Sequence, residues 1–327
     1  MTANPIRVAV VGAGEFGRNH VRVWSALEGA ELVGIVDTDA ARAEKVAAEF
    51  GTRVLSGIES LAAERVQAVS LAVPTLDHAR IGRRLLDAGL DVLVEKPIAS
   101  TLCEADELIA AARRNKRILQ VGHVERFNAA VAAAQKIVSR PMFFEIHRLG
   151  IFTPRSLDID VVYDVMIHDL DILLSLVNSP VADLKAVGIP VMTDKVDIAH
   201  ARVEFETGTV ANLTASRVST ERVRKMRFFQ EHEYISLDFT RQDVLRVRVE
   251  PGEPQPQINF ENLPTTPEEP LRAELRAFLE SVRTRQEPIV DGKAGRRALE
   301  LADRVMAGIL DHARRVQLGT YAPQDTR

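Results

Sequence analysis

Six residues near the start of the chain, Gly12-Ala13-Gly14-Glu15-Phe16-Gly17, constrain its fold more than any other stretch. They follow a short apolar run, Ile6 to Val11, that reads as a buried strand, and they open a helical stretch from Arg18 to about Leu27. A second strand, Glu31 to Val36, ends at Asp37, twenty residues after Gly17. In a dinucleotide-binding turn each part has a physical use. Gly12 permits the tight turn, Gly14 lets backbone approach a pyrophosphate, and Gly17 lets the helix pack close to the strand. The helix N-terminus presents free N–H groups and partial positive charge to phosphates, with Glu15 and Phe16 in its first turn. Asp37 can accept hydrogen bonds from a ribose diol and would repel a 2′-phosphate, so the spacing predicts NAD. Arg42 lies five residues on, close enough to favour some use of NADP.

At 327 residues the chain is long for one core and comfortable for two domains. Its 46% hydrophobic and 27% charged residues are those of an ordinary globular protein, and a net charge of −4 argues against nucleic acid as a partner. No apolar run reaches the ~18 residues of a membrane span, and no charged-then-apolar leader precedes Ile6. A single cysteine, Cys103, excludes an internal disulfide and a multi-cysteine metal site, and it reads as a small packed side chain. Together these features predict a cytoplasmic protein.

Residues 1–122 alternate strands (6–11, 31–36, 67–73, 91–94, 118–121) with helices (16–28, 39–50, 77–89, 101–115). That alternation predicts an α/β Rossmann domain with a doubly wound parallel sheet. Ligands bind such sheets at the carboxyl ends of the strands, where Gly12 to Gly17, Asp37, Pro74-Thr75, Glu95-Lys96-Pro97 and Gly122-His123 all fall. Residues 123–327 read as an α+β domain with a large, mainly antiparallel open sheet. A helix over 128–138 and a strand over 142–149 lead through an irregular stretch to a long helix near 158–177. Strands follow at 183–191, 196–206, 209–217, 225–230, 233–239 and 243–250, with a hairpin turn at Glu206-Thr207-Gly208. Leu245, Val247 and Val249 alternate with Val244, Arg246 and Arg248, the pattern of a sheet with one wet face. The open face calls for a partner, and a second subunit suits it. Six prolines within 251–270 predict an excursion without regular structure, before helices near 271–286 and 293–315.

The 158–177 helix is the second informative feature. Against an apolar background, Asp164, His168, Asp171 and Ser175 fall at i, i+4, i+7 and i+11, on one helical face. The stripe carries only short polar groups, and an aspartate one turn from a histidine can tune it for proton exchange. Lys96 precedes Pro97 and is held extended at a strand end, so it cannot leave the crevice in a helix. Oxidising a secondary alcohol needs a hydride acceptor, a base and a cation beside the oxygen. NAD, His168 and Lys96 would supply them, with Asp164 orienting the imidazole.

These residues resemble the Gfo/Idh/MocA oxidoreductases: Gly12–Gly17 with Asp37, Ala72-Val73-Pro74 with His78, Glu95-Lys96-Pro97, and Asp164-x3-His168, in family order from residue 6 to about 315. The resemblance implies catalysis by Lys96 and His168 with Asp164 assisting. It places Pro74, Thr75, His78 and Glu95 near the cofactor, and it implies homodimers or homotetramers joined through the C-terminal sheets. Residues 122–128, His147-Arg148, Phe152–Arg155, Met166–Asp169 and Asn212–Arg217 resemble a nucleotide-sugar branch of that family. That branch oxidises the 3-hydroxyl of UDP-N-acetylglucosamine to a ketone, and an aminotransferase then installs nitrogen on the way to lipid A. A diphosphate substrate suits Arg148, Arg155 and Arg217, because arginine is bidentate to phosphate oxygens. The chain departs from many family members at His123, which either contacts the nicotinamide or packs in the core.

The rival within the class is a dehydrogenase of a free polyol or simple sugar such as myo-inositol. A rival of another class is a non-catalytic NAD-binding regulator, which would have no use for Lys96, Asp164 and His168. A metal site of His147, His168 and Asp171 lacks ligand-type spacing, so no metal is expected. Arg222, Arg224, Lys225 and Arg227 lack aromatic interleaving and read as a solvated turn.

Overall fold

The computed structural model describes residues 4–154, 157–252 and 255–318. The chain folds as two compact units, Met1–Phe127 with Glu269–Arg297 and Asn128–Glu268 with Ala298–Arg327.

The first unit opens β1 (Ile6–Val11), α1 (Glu15–Ser25), β2 (Ala30–Val36), α2 (Ala40–Phe50), α3 (Ser60–Ala63), β3 (Ala68–Leu71), α4 (Thr75–Asp87), β4 (Asp91–Glu95), α5 (Leu102–Asn115) and β5 (Leu119–Gly122). The strands form one parallel sheet in the order β2-β1-β3-β4-β5. Val8, Val10, Ile35, Val69, Leu71 and Val92–Val94 are fully buried, as a parallel sheet covered on both faces requires. Beyond β2 a single parallel bridge joins Ile35 to Val54. That bridge stands where a dinucleotide fold carries its third strand, so the strand order is the doubly wound one with that strand reduced to a point. The order reverses between β1 and β3, and there the ligand crevice of an open α/β sheet lies. Cys103 is exposed rather than packed. It sits in the first turn of α5, whose inward face is Ala105, Leu108, Ala111 and Ala112.

The second unit holds α6 (Ala129–Gln135), β6 (Phe143–Ile151), a π-helical segment (Val162–Met166), α7 (Ile167–Leu176), β7 (Val181–Ile189), β8 (Ile198–Phe205), β9 (Val210–Ser219), β10 (Val223–Gln230), β11 (Glu233–Asp238), β12 (Asp243–Glu250) and β13 (Gln257–Asn262). The eight strands pair in the order β13-β12-β11-β10-β6-β9-β8-β7. All neighbours are antiparallel except β6 and β9, so the first strand of the unit lies in the middle of its sheet. The hairpin at Gly208 forms as expected, with φ +84°. One face of the sheet packs on the nearly continuous apolar surface of α7, including Ile167, Leu170, Ile172 and Leu173.

Two expectations change here. Residues 257–262 form an edge strand, because the prolines flank this proline-free stretch rather than interrupt it. The alternation in β12 is also reversed relative to the core. Val244 is fully buried, and Arg246 and Arg248 on its face pair with Glu233. The apolar stripe Leu245 and Val247 instead shares the uncovered face with Tyr234 and Phe260, its cross-strand neighbours. Phe260 is 73% exposed and Phe143, Phe229 and Tyr234 form an aromatic ladder on the same face.

The chain then returns to the first unit with α8 (Pro270–Thr284), whose Leu275, Phe278 and Leu279 join the core of Trp24 and Ile35. Trp24 meets Phe278 edge to face at 6.5 Å, and its indole N–H donates to Ser70 at 2.8 Å. The last helix, α9 (Gly292–Arg315), packs Ala302, Val305 and Ile309 into the second unit's core. Among the described residues no helix is long and apolar enough to cross a membrane.

Candidate functional site

The fold requires glycine at Gly12 and Gly17, and Gly14 leaves room for a ligand. Gly12 has φ +98°, and a Cβ there would run into the Ala72 carbonyl across the switch point. A Cβ on Gly17 would fall onto the Gly12 carbonyl oxygen. Around Gly14 a Cβ would meet nothing within 4 Å, so the space is open for a ligand to approach the backbone. Gly14 is also the N-cap of α1 and offers no side-chain cap, while the first helical bond is Arg18 N–H to Gly14 O. Amides ahead of the first intrahelical bond have no acceptor within a helix, and this helix start lies beside that open space. Glu15 and Phe16 are exposed beside it, Phe16 at 45%.

Asp37 ends β2 and turns back over this turn. Its carboxylate accepts from the Ala13 amide at 2.5 Å and the Asp39 amide at 2.8 Å, and it takes the Arg42 guanidinium at 2.7 Å. Burial works to raise its pKa, and the bonds from Arg42, Asp39 and Ala13 outweigh that, holding it below the usual aspartate value. An anionic acceptor at this place fits a ribose diol. The open glycine cradle, the uncapped helix start and Asp37 therefore fit NAD, which would lie with its pyrophosphate at Gly14 and a ribose at Asp37. Pro74 caps α4 with Thr75 in its first turn, both at the same carboxyl edge.

The β4 end carries Glu95 and Lys96, and the Lys96–Pro97 bond is cis. Lys96 is half-buried. Glu95 Oε1 accepts from the Nε2 of buried His20 at 2.8 Å, and its Oε2 accepts from the Lys96 amide at 3.2 Å. His78 is 1% exposed, with Nδ1 2.8 Å from the Pro97 carbonyl and Nε2 2.9 Å from the Val73 carbonyl. Burial favours its neutral form, so the ring donates to one of these two carbonyls and lies against the other, between two loops of the crevice. His123 is also 1% exposed, directly after β5.

In the second unit, half-buried Asp164 lies inside the π-helical segment and half-buried His168 in the first turn of α7. A π turn closes i→i+5 bonds, so the α-helical count that placed Asp164, His168, Asp171 and Ser175 on one face does not run through it unchanged. Such turns concentrate at functional positions. Tyr163 beside Asp164 donates to Asp303 at 2.8 Å, fixing the segment to α9.

The three arginines separate. Arg148 is 5% exposed, with Nε and Nη2 on the Asp169 carboxylate at 2.9 and 2.7 Å and its guanidinium 4.9 Å from the Phe239 ring. Arg217, 8% exposed, donates to the Ile159 and Val196 carbonyls and lies 3.3 Å from Asp197. Both have partners within the fold, Asp169 for the first and Asp197 with two backbone carbonyls for the second. Arg155 lies outside the described residues. The basic run at 222–227 enters β10, with Lys225 near Asp238 and Arg227 near Glu145. Among the described residues, no three His, Cys, Asp or Glu are grouped to hold a metal.

Sequence reading passed over His20, Asp169 and Glu274. Each had a signal, an ionisable residue on an otherwise apolar stripe: His20 with Gly17, Val21 and Trp24, Asp169 with Ile172, Leu173 and Leu176, and Glu274 with Leu275 and Phe278. Glu274 is fully buried, and neither carboxyl oxygen has a hydrogen-bond partner among the described residues.

Residues 6–123 match the family described as an oxidoreductase family with an NAD-binding Rossmann fold, and residues 137–235 match the GFO/IDH/MocA C-terminal domain. The chain is 37% identical to the UDP-N-acetylglucosamine 3-dehydrogenase of Acidithiobacillus ferrooxidans, over 93% of this chain and 97% of that protein. The solved structure of that enzyme superposes with a TM-score of 0.87, covering 94% of this chain and 98% of the other. An inositol 2-dehydrogenase of Leifsonia xyli is 31% identical over 57% of this chain and 58% of its own. An Agrobacterium radiobacter oxidoreductase solved with NAD+, L-tartaric acid and magnesium shares the fold at 16% identity, with a TM-score of 0.84 over 94% of this chain and 97% of its own. With the glycine cradle, Asp37 and the Glu-Lys-Pro strand end in place, this chain belongs to the Gfo/Idh/MocA family of NAD-binding oxidoreductases, dehydrogenases acting on CH–OH groups.

Proposed function

We propose that the chain oxidises the 3-hydroxyl of UDP-N-acetylglucosamine to the 3-keto sugar. The observation that carries this reading is the 37% identity spanning nearly the whole of both chains, against 31% over 57% of this chain for the Leifsonia xyli inositol 2-dehydrogenase. NAD, when bound, supplies the hydride acceptor. His168 takes the hydroxyl proton, Asp164 orients the imidazole, and Lys96 stabilises the negative charge that develops on the oxygen. The carbon-bound hydrogen leaves with its electron pair and the oxygen-bound one as a proton, so the reaction balances as alcohol to ketone. Arg148, Arg155 and Arg217 are the arginines for the diphosphate, the first and last of them also bonded within the fold. A ketone at C3 invites an aminotransferase as the next enzyme, and a cytoplasmic location suits both NAD and a nucleotide sugar. The uncovered sheet face, with Tyr234, Val247 and Phe260 on it, suits a homodimer or homotetramer.

The test is absorbance at 340 nm with NAD and UDP-N-acetylglucosamine, with glutamate and a partner aminotransferase removing the ketone, since the oxidation is uphill near neutral pH. NADH formation lost in Lys96→Ala and His168→Ala, with NAD binding kept within a few-fold, supports the reading. Silence on this substrate with turnover on myo-inositol would move the chain to the polyol class and leave the catalytic assignments standing.

A further inference from the structure

Lys96 lies just past the end of the ladder. The last paired residue of β4 is Glu95, opposite Gly122, so the sheet's own bonds stop one residue short of the lysine. The Lys96 amide donates instead to the side chain of Glu95, at 3.2 Å. That carboxylate is itself fixed. Its other oxygen is 2.8 Å from His20 Nε2, and because a carboxylate only accepts, Nε2 carries the hydrogen. Gly122 makes the room, since a Cβ there would stand 3.1 Å from the Glu95 Cα and carboxyl carbon. His20 projects from α1, the helix that begins at the dinucleotide turn, and is 1% exposed. On the other side of Lys96, His78 Nδ1 of α4 lies 2.8 Å from the Pro97 carbonyl. The residues before and after the lysine thus each lie against a buried histidine, from the two helices that flank the crevice. Burial opposes the charged form of Glu95, and His20, Lys96 and His78 outweigh it, while burial and then the Glu95 charge hold the Glu274 carboxyl of α8 protonated.

We propose that His20 and Glu95 are positioning residues for Lys96: through their buried pair the helix carrying the dinucleotide turn sets where the lysine stands. Neither residue touches the reacting atoms. A pair that served packing alone could be replaced by apolar groups of the same size with little effect on turnover. A pair that aims the lysine could not, because a displaced reacting group is expensive in rate. The inference rests on the reading that Lys96 assists hydroxyl oxidation, and its test includes a measurement independent of substrate.

The full-length enzyme is assayed with NAD and UDP-N-acetylglucosamine as His20→Leu, His20→Gln, Glu95→Gln and the His20→Leu/Glu95→Gln double variant. His20→Leu and Glu95→Gln should each lower kcat by about 10- to 100-fold while the NAD dissociation constant, read by calorimetry, stays within about threefold. The double variant should fall no further than the worse single, because both break one contact. His20→Gln keeps a donor within reach of Glu95 and should recover kcat to within about fivefold of wild type. The substrate-independent readout is acetylation of Lys96 by acetic anhydride at fixed pH, followed by peptide mass spectrometry, whose rate should change at least about threefold in His20→Leu and Glu95→Gln. Wild-type kcat in His20→Leu despite a lower Tm overturns the proposal, as does a loss confined to NAD affinity. If wild type does not turn over this sugar, the substrate reading has failed separately, and unchanged Lys96 acetylation then overturns the positioning role. If His20→Leu fails to fold, Glu95→Gln and His20→Gln decide by the same criteria.

Discussion

Replacing Arg148 separates two views of the second unit. Sequence similarity offers this arginine to a substrate phosphate; the structure seats it on Asp169 through two bonds of 2.9 and 2.7 Å, with side-chain exposures of 6% and 2%. Arg148→Met keeps most of the packing volume and removes the guanidinium that pairs with the buried Asp169 carboxylate. Breaking one side of a buried pair costs about 3–5 kcal/mol. The lost stacking on Phe239 lies within that figure rather than beside it, since the terms are coupled. For a domain of this size about 2–4 °C accompanies each kcal/mol, so Tm should fall by about 6–20 °C in calorimetry. Arg148→Met/Asp169→Leu removes both charges and should return most of that loss, because an apolar replacement of a buried pair is often neutral. Each variant is also assayed for the KM of the nucleotide sugar. An unchanged Tm in Arg148→Met together with a large rise in KM would refute the buried-pair account and restore the phosphate role.

Two further perturbations test the first unit. Burial, and then the Glu95 charge, holds the Glu274 carboxyl well above the usual glutamate range. Its folded pKa exceeds the unfolded one, about 4.3, so its contribution is complete below that pH and is lost as pH rises toward the folded value. Glu274→Gln mimics the neutral acid and should gain Tm over wild type progressively from pH 5 to 8.5, with the two matching near pH 4; parallel Tm curves would show that Glu274 carries no such proton. Asp37→Ala removes the acceptor and frees Arg42 from it. The ratio of kcat/KM for NAD to that for NADP should fall by at least about tenfold, the value of one charge-assisted hydrogen bond, and an unchanged ratio would remove Asp37 from cofactor selection.

How much was legible depends on the kind of information each signal encodes. Periodicity located every strand of the two sheets but β13, because burial on one or two faces writes itself into alternation or into continuous apolar runs, and β13 is exposed throughout. It could not report which face was covered. In β12 the stripe of Leu245 and Val247 looks like a core face, yet the core takes Val244 and the charged pair of Arg246 with Glu233. Nor could it place β6 in the middle of the sheet, since strand order is set by long-range pairing that local pattern does not record. The π turn at Val162–Met166 escaped because spacing rules assume one helical period throughout.

The candidate site was legible to the extent that its chemistry is local in sequence. Gly12, Gly14 and Gly17 could be assigned separate uses because backbone geometry alone dictates them, and the space around each agrees. The arginines could not, because a guanidinium serves equally for a ligand phosphate or a buried carboxylate, and only the fold shows that Asp169 and Asp197 lie beside two of them. The same logic runs the other way for His20 and Glu274. Burying an ionisable side chain costs free energy that packing alone does not repay. A charge on an apolar stripe is therefore evidence in itself, and both of these meet at the carboxylate that holds Lys96. In a chain of this kind, the ionisable residues that interrupt core-facing stripes mark where the scaffold and the chemistry are joined.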